Sequence, residues 1–196
     1  QAAAEAAEKK AAAIIVSQEV ELPKQSETTL IRVEDTRYAL AFVSAAWFDH
    51  PAKKLTTIGI TGTKGKTTTT YLVKSILENA GRKVGLVGTI EIIIGDTHIH
   101  AVNTTPESYL LQEYFAKMVE SGCDTVVMEV SSQALMLHRT QGFVFDFGIF
   151  TNLEPDHIGP NEHGSFEEYA HCKSLLFQQC RVGIANCDDV HWQLIT

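Results

Sequence analysis

No apolar run in this sequence approaches the ~20 residues that a membrane-spanning helix needs. Positive charge is also scarce: 16 Lys and Arg stand against 24 Asp and Glu, a formal net charge of −8. That balance argues against a general nucleic-acid binder, whose phosphate contacts need clustered Lys and Arg. It leaves nucleotides open, because a few local cations and backbone amides suffice to hold them. The four cysteines (Cys123, Cys172, Cys180 and Cys187) form no Cys-x-x-Cys pair and read as reduced thiols of a cytoplasmic protein. The Ala-rich start carries Glu5, Glu8, Lys9 and Lys10 where a signal peptide has an apolar block. What remains is 44% hydrophobic, 20% charged and 8% aromatic, the composition of a soluble globular protein long enough for one core. Gln1 in place of a start Met, and an end at Leu194-Ile195-Thr196, lead us to expect a piece of a longer protein.

Residues 2–13 are rich in Ala, Glu and Lys, all good helix formers. Residues 13–16 read as a strand, 20–27 as a loop and 30–33 as a second short strand. A helix is predicted over 36–49, with Ala39, Leu40, Val43, Ala46 and Trp47 at helical spacing and His50-Pro51 as its stop. A linker is expected near 51–54. From Leu55 the texture changes. Strands are predicted at 56–61, 83–89, 124–130 and 145–151, a hairpin at 91–100 around Gly95-Asp96, and helices at 66–79, 106–121 and 166–179. Repeated strand–helix units imply an α/β fold: a mostly parallel sheet with helices on both faces, preceded by the end of a smaller α/β domain.

The most informative motif runs from Gly59 to Thr68, between a predicted strand and a predicted helix. Gly62 and Gly65 let the backbone bend around phosphate oxygens, and the helix N-terminus faces the anion. Lys66 is placed to reach the β- and γ-phosphates, and the Thr67 hydroxyl to ligate Mg²⁺. Ile60 stands where the strict phosphate-loop pattern has its first Gly, and a plain Gly-rich turn is the alternative. The strand 125–130 ends in Glu129, and ligands of open α/β sheets sit at such strand ends, so Glu129 is a candidate metal ligand. Its alternative is a structural ion pair. On the next strand end, His157 beside Asp156 is either a ligand or a capped loop residue. His163 hints at zinc, but no third ligand has the spacing of a zinc site. Lys173 reads, on spacing alone, as an ordinary helix lysine.

Four blocks together resemble the Mur ligase family: residues 61–68, Asn103-Thr104-Thr105-Pro106-Glu107, residues 129–135 and Asp156-His157. The resemblance covers nearly the whole chain and lies nearest the family's tripeptide-forming branch. It implies an ATP-dependent amide ligase that adds a diamino acid, L-lysine or meso-diaminopimelate, to UDP-N-acetylmuramoyl-L-alanyl-D-glutamate through an acyl phosphate. It implies that Gly62, Thr63, Lys64, Gly65, Lys66, Thr67 and Thr68 hold ATP. Glu129 and His157 would help to hold two Mg²⁺ ions. Asn103, Thr104, Thr105, Ser131 and Arg139 would contact the nucleotide-sugar peptide. Lys173 would be carbamylated, which turns a cation that repels Mg²⁺ into an oxygen donor that suits it. Arg139 as a surface helix cation, and Thr104-Thr105-Pro106 as a helix cap, are the plainer readings. Lys64 replaces an Asn common in relatives, and Leu137 a substrate-binding Gln found in some. Residues 156–163 are similar to lysine-adding Gram-positive relatives.

By the same resemblance, residues 1–53 are the remnant of an N-terminal uridine-nucleotide domain. Residues 54–196 are an incomplete central ATPase domain, and the C-terminal domain is absent. Such a chain is expected to be a cytoplasmic monomer that binds nucleotide poorly and turns over little. A folylpolyglutamate synthase-like ligase and a non-catalytic nucleotide-binding module are the alternatives. A phosphate-loop GTPase or kinase fits less well, because no Asn-Lys-x-Asp motif occurs.

Overall fold

The computed structural model describes residues 2–23, 26–156, 158–160 and 162–196. Its organising element is β3 (Thr56–Thr61), a β-branched run that is buried beyond its first residue. A strand covered on both faces belongs inside a parallel sheet. β3 pairs in parallel with β7 (Thr125–Glu129) on one side and β8 (Phe145–Phe150) on the other. The sheet has seven strands in the order β6-β5-β4-β7-β3-β8-β9. β4 is Val84–Val87, β5 Glu91–Ile94, β6 Thr97–His100 and β9 Cys180–Ala185. Only the β5–β6 hairpin end is antiparallel. Gly95 turns that hairpin at φ +56, at the first position of a two-residue loop.

Alternate residues of each strand face opposite sides, and each side carries helices. Ile58, Ile60, Val84 and Val127 pack with Val73 and Leu77 of α3 (Lys66–Asn79). Val126, Met128 and Phe145 pack with Leu111, Phe115 and Met118 of α4 (Ser108–Glu120) and with Leu176 of α6 (Phe166–Gln178). The α/β reading with two covered faces therefore holds. Gly59 lets α6 approach, since a Cβ there would lie 3.0 Å from both Leu176 Cδ1 and Phe145 Cε1.

Ahead of this sheet lie α1 (Ala2–Glu8), the parallel pair β1 (Ala13–Val16) and β2 (Thr29–Arg32), and α2 (Thr36–Trp47). The first helix is shorter than its composition suggested: Lys10 adopts φ +60 and the chain turns toward β1. The expected linker at 51–54 is instead a tight helical turn, with Pro51 and Ala52 buried. Two elements escaped the sequence reading. α5 (Ser132–Met136) is a short turn of helix, too brief to show a periodicity. β9 exposes most of its residues and carries Gly183, so it shows no buried alternating face. A Cβ at Gly183 would collide with the Phe177 ring at 2.5 Å, so glycine is what lets α6 fold back beside its own strand.

Candidate active site

The site lies at the C-terminal ends of β3, β7 and β8. The chain leaves β3 toward β4 on one side, while β8 and β9 add on the other, which makes this the crevice where open α/β sheets bind ligands. Gly62 turns the loop at φ +147, where a Cβ would collide with Thr151 Oγ1. Gly65 caps α3 at φ +80 without a side-chain cap bond. The N-cap residue thus offers the first-turn amides of α3 no side-chain acceptor, and a helix N-terminus in that state suits an anion. The loop is fastened from beneath: Thr63 N donates to Asn152 O (2.9 Å) and Lys64 N to Asn152 Oδ1 (2.8 Å).

Two lysines converge on one carbonyl. Lys66 Nζ and Lys173 Nζ each donate to Gly62 O at 2.9 Å, and Lys66 Nζ also reaches Thr63 O (3.1 Å). Lys173 is 2% exposed, and its Nζ stands 4.4 Å from the centre of the Tyr169 ring. Burial pulls its ammonium down to about 7, helped by the Lys66 charge and opposed by Asp156. Burial also lowers Lys66 from the usual lysine range, while Glu129 opposes the shift. Lys173 is therefore not the ordinary helix lysine its spacing suggested. Tyr169 itself anchors the loop, with its hydroxyl 3.1 Å from Thr63 Oγ1.

Glu129 is 1% exposed. Thr67 Oγ1 lies 3.0 Å from both of its carboxylate oxygens. Thr89 N donates to Oε1 (2.9 Å), and the Thr89 hydroxyl lies 3.1 Å from Oε2. Among the described residues its side-chain partners are hydroxyls and an amide rather than a cation. A carboxylate with a threonine hydroxyl against it is a hard oxygen set that fits a divalent cation. Among the described residues no group of three His, Cys, Asp or Glu side chains could hold a metal alone. The zinc reading of His163 gains no support: its Nε2 is 2.8 Å from Ser132 Oγ, in the interior. His157 lies outside the described residues. Lys64, on the same loop, pairs with Asp156 (2.8 Å). Thr68 is an exposed first-turn residue of α3.

Next to this pole, Lys66, Asn103, Thr104, Thr105, Ser131 and Arg139 line a cleft of about 190 Å³. Thr105 is its internal brace: its Oγ1 donates to Glu129 O (2.9 Å) and accepts from Ser131 N (3.1 Å). The helix-cap reading of Thr104-Thr105-Pro106 is thereby replaced, since the N-cap of α4 is Glu107. The Ser131 hydroxyl caps α5, accepting from Ala134 N (3.2 Å). Thr104 Oγ1 is 3.1 Å from Thr89 Oγ1, and Asn103 is exposed at the rim. Arg139 lies beyond the end of α5, mostly covered, and not on a helix surface. Sequence reasoning missed Thr89, Asn152 and Tyr169. Tyr169 alone left a trace, standing four residues before Lys173 on one helix, a spacing that stacks side chains.

The Mur ligase middle domain family matches residues 60–196. The chain is 48% identical over 185 residues to the UDP-N-acetylmuramoyl-L-alanyl-D-glutamate–2,6-diaminopimelate ligase of Clostridium perfringens, covering 94% of this chain and 37% of that protein. A solved structure of a ligase of the same name superposes with a TM-score of 0.84 at 27% identity, over 98% of this chain and 38% of the other. Folylpolyglutamate synthase from Mycobacterium tuberculosis, solved with ADP and AMPPCP, shares the fold with a TM-score of 0.62 at 15% identity, over 81% of this chain and 43% of its own. The chain thus spans little more than a third of the length of the curated relative it matches. With the Gly62–Thr68 loop, the acidic strand end and the adjoining polar cleft inside the matched segment, this chain belongs to the Mur ligase family.

Proposed function

We propose that this chain is the ATP-handling core of an amide ligase that joins meso-diaminopimelate to UDP-N-acetylmuramoyl-L-alanyl-D-glutamate in peptidoglycan synthesis. The observation that carries the reading is that Lys66 is bonded to the Gly62 turn and also lines the polar cleft. In acyl activation by ATP, phosphate and carboxylate must meet at one place, and a cation between them serves both. The 2,6-diaminopimelate in the name of the C. perfringens relative supports that amino acid over lysine. The similarity of residues 156–163 to lysine-adding relatives points the other way and is the lesser argument.

In this reading Gly62 to Thr68 wrap the nucleotide phosphates, with Lys66 reaching the β- and γ-groups. Thr67 and Glu129 hold magnesium, joined by His157 and by Lys173 as a carbamate. Bound magnesium would supply charge neutralisation for the phosphoryl transfer. The depressed Lys173 amine suits carbamylation, because only the neutral amine attacks CO₂. The new N–C bond forms as one proton leaves to solvent, and the product is an anion. Asn103, Thr104, Thr105, Ser131 and Arg139 contact the nucleotide-sugar peptide. Thr105 ties that cleft to the Glu129 backbone, so substrate and metal ligand move together. Residues 1–53 would belong to a uridine-nucleotide domain and 54–196 to the central domain. The protein would act as a cytoplasmic monomer, and the four free cysteines support a reducing compartment.

The test is a chimera in which this chain replaces its matching segment in the C. perfringens relative. It should form the UDP-linked tripeptide from ATP with meso-diaminopimelate, not with L-lysine, and should leave folate untouched. A Lys173→Ala chimera should bind ATP and lose turnover. Full activity of that variant would remove the carbamate from the reading, and ATP binding without product by the unaltered chimera would favour the non-catalytic module.

A further inference from the structure

We infer that Glu107 is a positioning residue, which fixes the guanidinium of Arg139 for the anionic sugar-nucleotide peptide. The inference rests on the reading that Arg139 meets that substrate. Glu107 stands at the N-cap of α4, yet its side chain makes no cap bond. N-cap positions favour short side chains that bond back to the first-turn amides. Glu107 is longer, and its carboxylate turns outward to two arginines. Its Oε1 lies 2.6 Å from Arg139 Nη2, and its Oε2 lies 3.5 Å from Arg37 Nη1 on α2. With both oxygens engaged, the carboxylate has little freedom to rotate away.

Arg139 is held on a second side as well, by Nη1 donating to Thr105 O at 3.2 Å. Two fixed contacts on one planar group set its orientation, which is what bidentate recognition of an anion requires. Its Nε has no hydrogen-bond partner among the described residues. The backbone under Arg139 is held by its own hydrogen bonds, Arg139 N donating to Ala134 O (2.8 Å) and His138 N to Leu135 O (3.2 Å), with His138 at φ +56 and its ring 3.7 Å from Asp35 Oδ2 at the cap of α2. Glu107 therefore orients the arginine by its second amino group and leaves the remaining N–H of each amino nitrogen for the ligand, Nε being buried. A loose arginine at the mouth of the cleft would have to be ordered by each substrate that bound, at a cost in affinity.

The test measures binding of UDP-N-acetylmuramoyl-L-alanyl-D-glutamate to the chimera by ligand-observed NMR, with ATP binding and melting temperature followed beside it. Glu107→Gln keeps the shape and removes the charge, and should weaken sugar-nucleotide binding about tenfold while ATP binding stays unchanged. Arg139→Ala should weaken it at least as much. Glu107→Gln added to Arg139→Ala should change nothing further, because the glutamate acts only through the arginine. Additive losses, or equal loss of ATP binding, would overturn the positioning role and leave Glu107 a structural residue. Should Arg139→Ala weaken binding and Glu107→Gln not, the positioning role fails and the substrate site stands. An Arg139→Ala variant of the chimera that binds normally, or no binding by the unaltered chimera, would bring down the site itself and the inference with it.

Discussion

Lys173 is the residue whose chemistry departs furthest from its type. A lysine at 2% exposure, beside a second ammonium on one carbonyl, loses its proton near neutrality. The sign follows from linkage: the native state releases this proton at about 7 and the unfolded chain near the ordinary lysine value. This group therefore adds stability as pH rises above about 7, and adds none below it. Its carbamate, followed by ¹³C NMR with labelled bicarbonate, should likewise grow in through pH 7 and not near 10. Lys66→Gln removes a charge that depresses Lys173, so the midpoint should move to higher pH. A midpoint left unmoved would show that burial alone sets it. At Gly62 the prediction concerns backbone: Gly62→Ala meets both a left-handed φ and the Thr151 hydroxyl. It should abolish ATP binding and lower stability by about 1–3 kcal/mol, read by denaturant unfolding.

Helix α6 carries Lys173 on the same element that packs the core. Leu176, fully buried three residues on, presses against Gly59 and Gly148 of the two central strands. Leu176→Ala should cost about 2–5 kcal/mol in chemical denaturation and reduce the carbamate signal, because the cavity frees the turn that aims Lys173. What was legible in the sequence also divides at this scale. α3 was read at its true bounds because Gly65 opens it and Gly81, at φ +85, closes it with paired backbone bonds from Gly81 N to Glu78 O and Arg82 N to Leu77 O. β3 and β7 were legible as apolar β-branched runs. β9 was not, because an edge strand with Gly183 shows neither a buried face nor a turn signal. The loop and Glu129 were visible from spacing. The contacts of Thr89, Asn152 and Tyr169 were not, because each joins segments far apart in sequence that only the sheet order brings together.

For the whole molecule, the sheet order sets the chemistry. Placing β3 between β7 and β8 puts the phosphate loop, Glu129 and the 151–156 turn around one crevice. The residues before β3 reach that crevice through Arg37 and Asp35 on the α2 side. Gly142, at φ +90, lets α2 dock: a Cβ there would lie 2.7 Å from Ala41 O. Gly142→Ala should push α2 off, destabilising the fold by about 1–3 kcal/mol and weakening sugar-nucleotide binding more than ATP binding, as separate titrations would show. Since closure of further domains completes such sites and excludes water, the isolated chain should show little ATP turnover, and the chimera should restore it.

In the proposed reaction a substrate carboxylate is activated by phosphate from ATP in this crevice. This activation is tested most directly by labelling the reacting carboxylate of the D-glutamate residue with ¹⁸O and running one round of ligation in the chimera. The carboxylate oxygen attacks the γ-phosphorus, and attack by the amine then releases phosphate carrying that oxygen. One ¹⁸O atom is expected in each phosphate released, by mass spectrometry, in step with tripeptide formed. Tripeptide accompanied by unlabelled phosphate would contradict it.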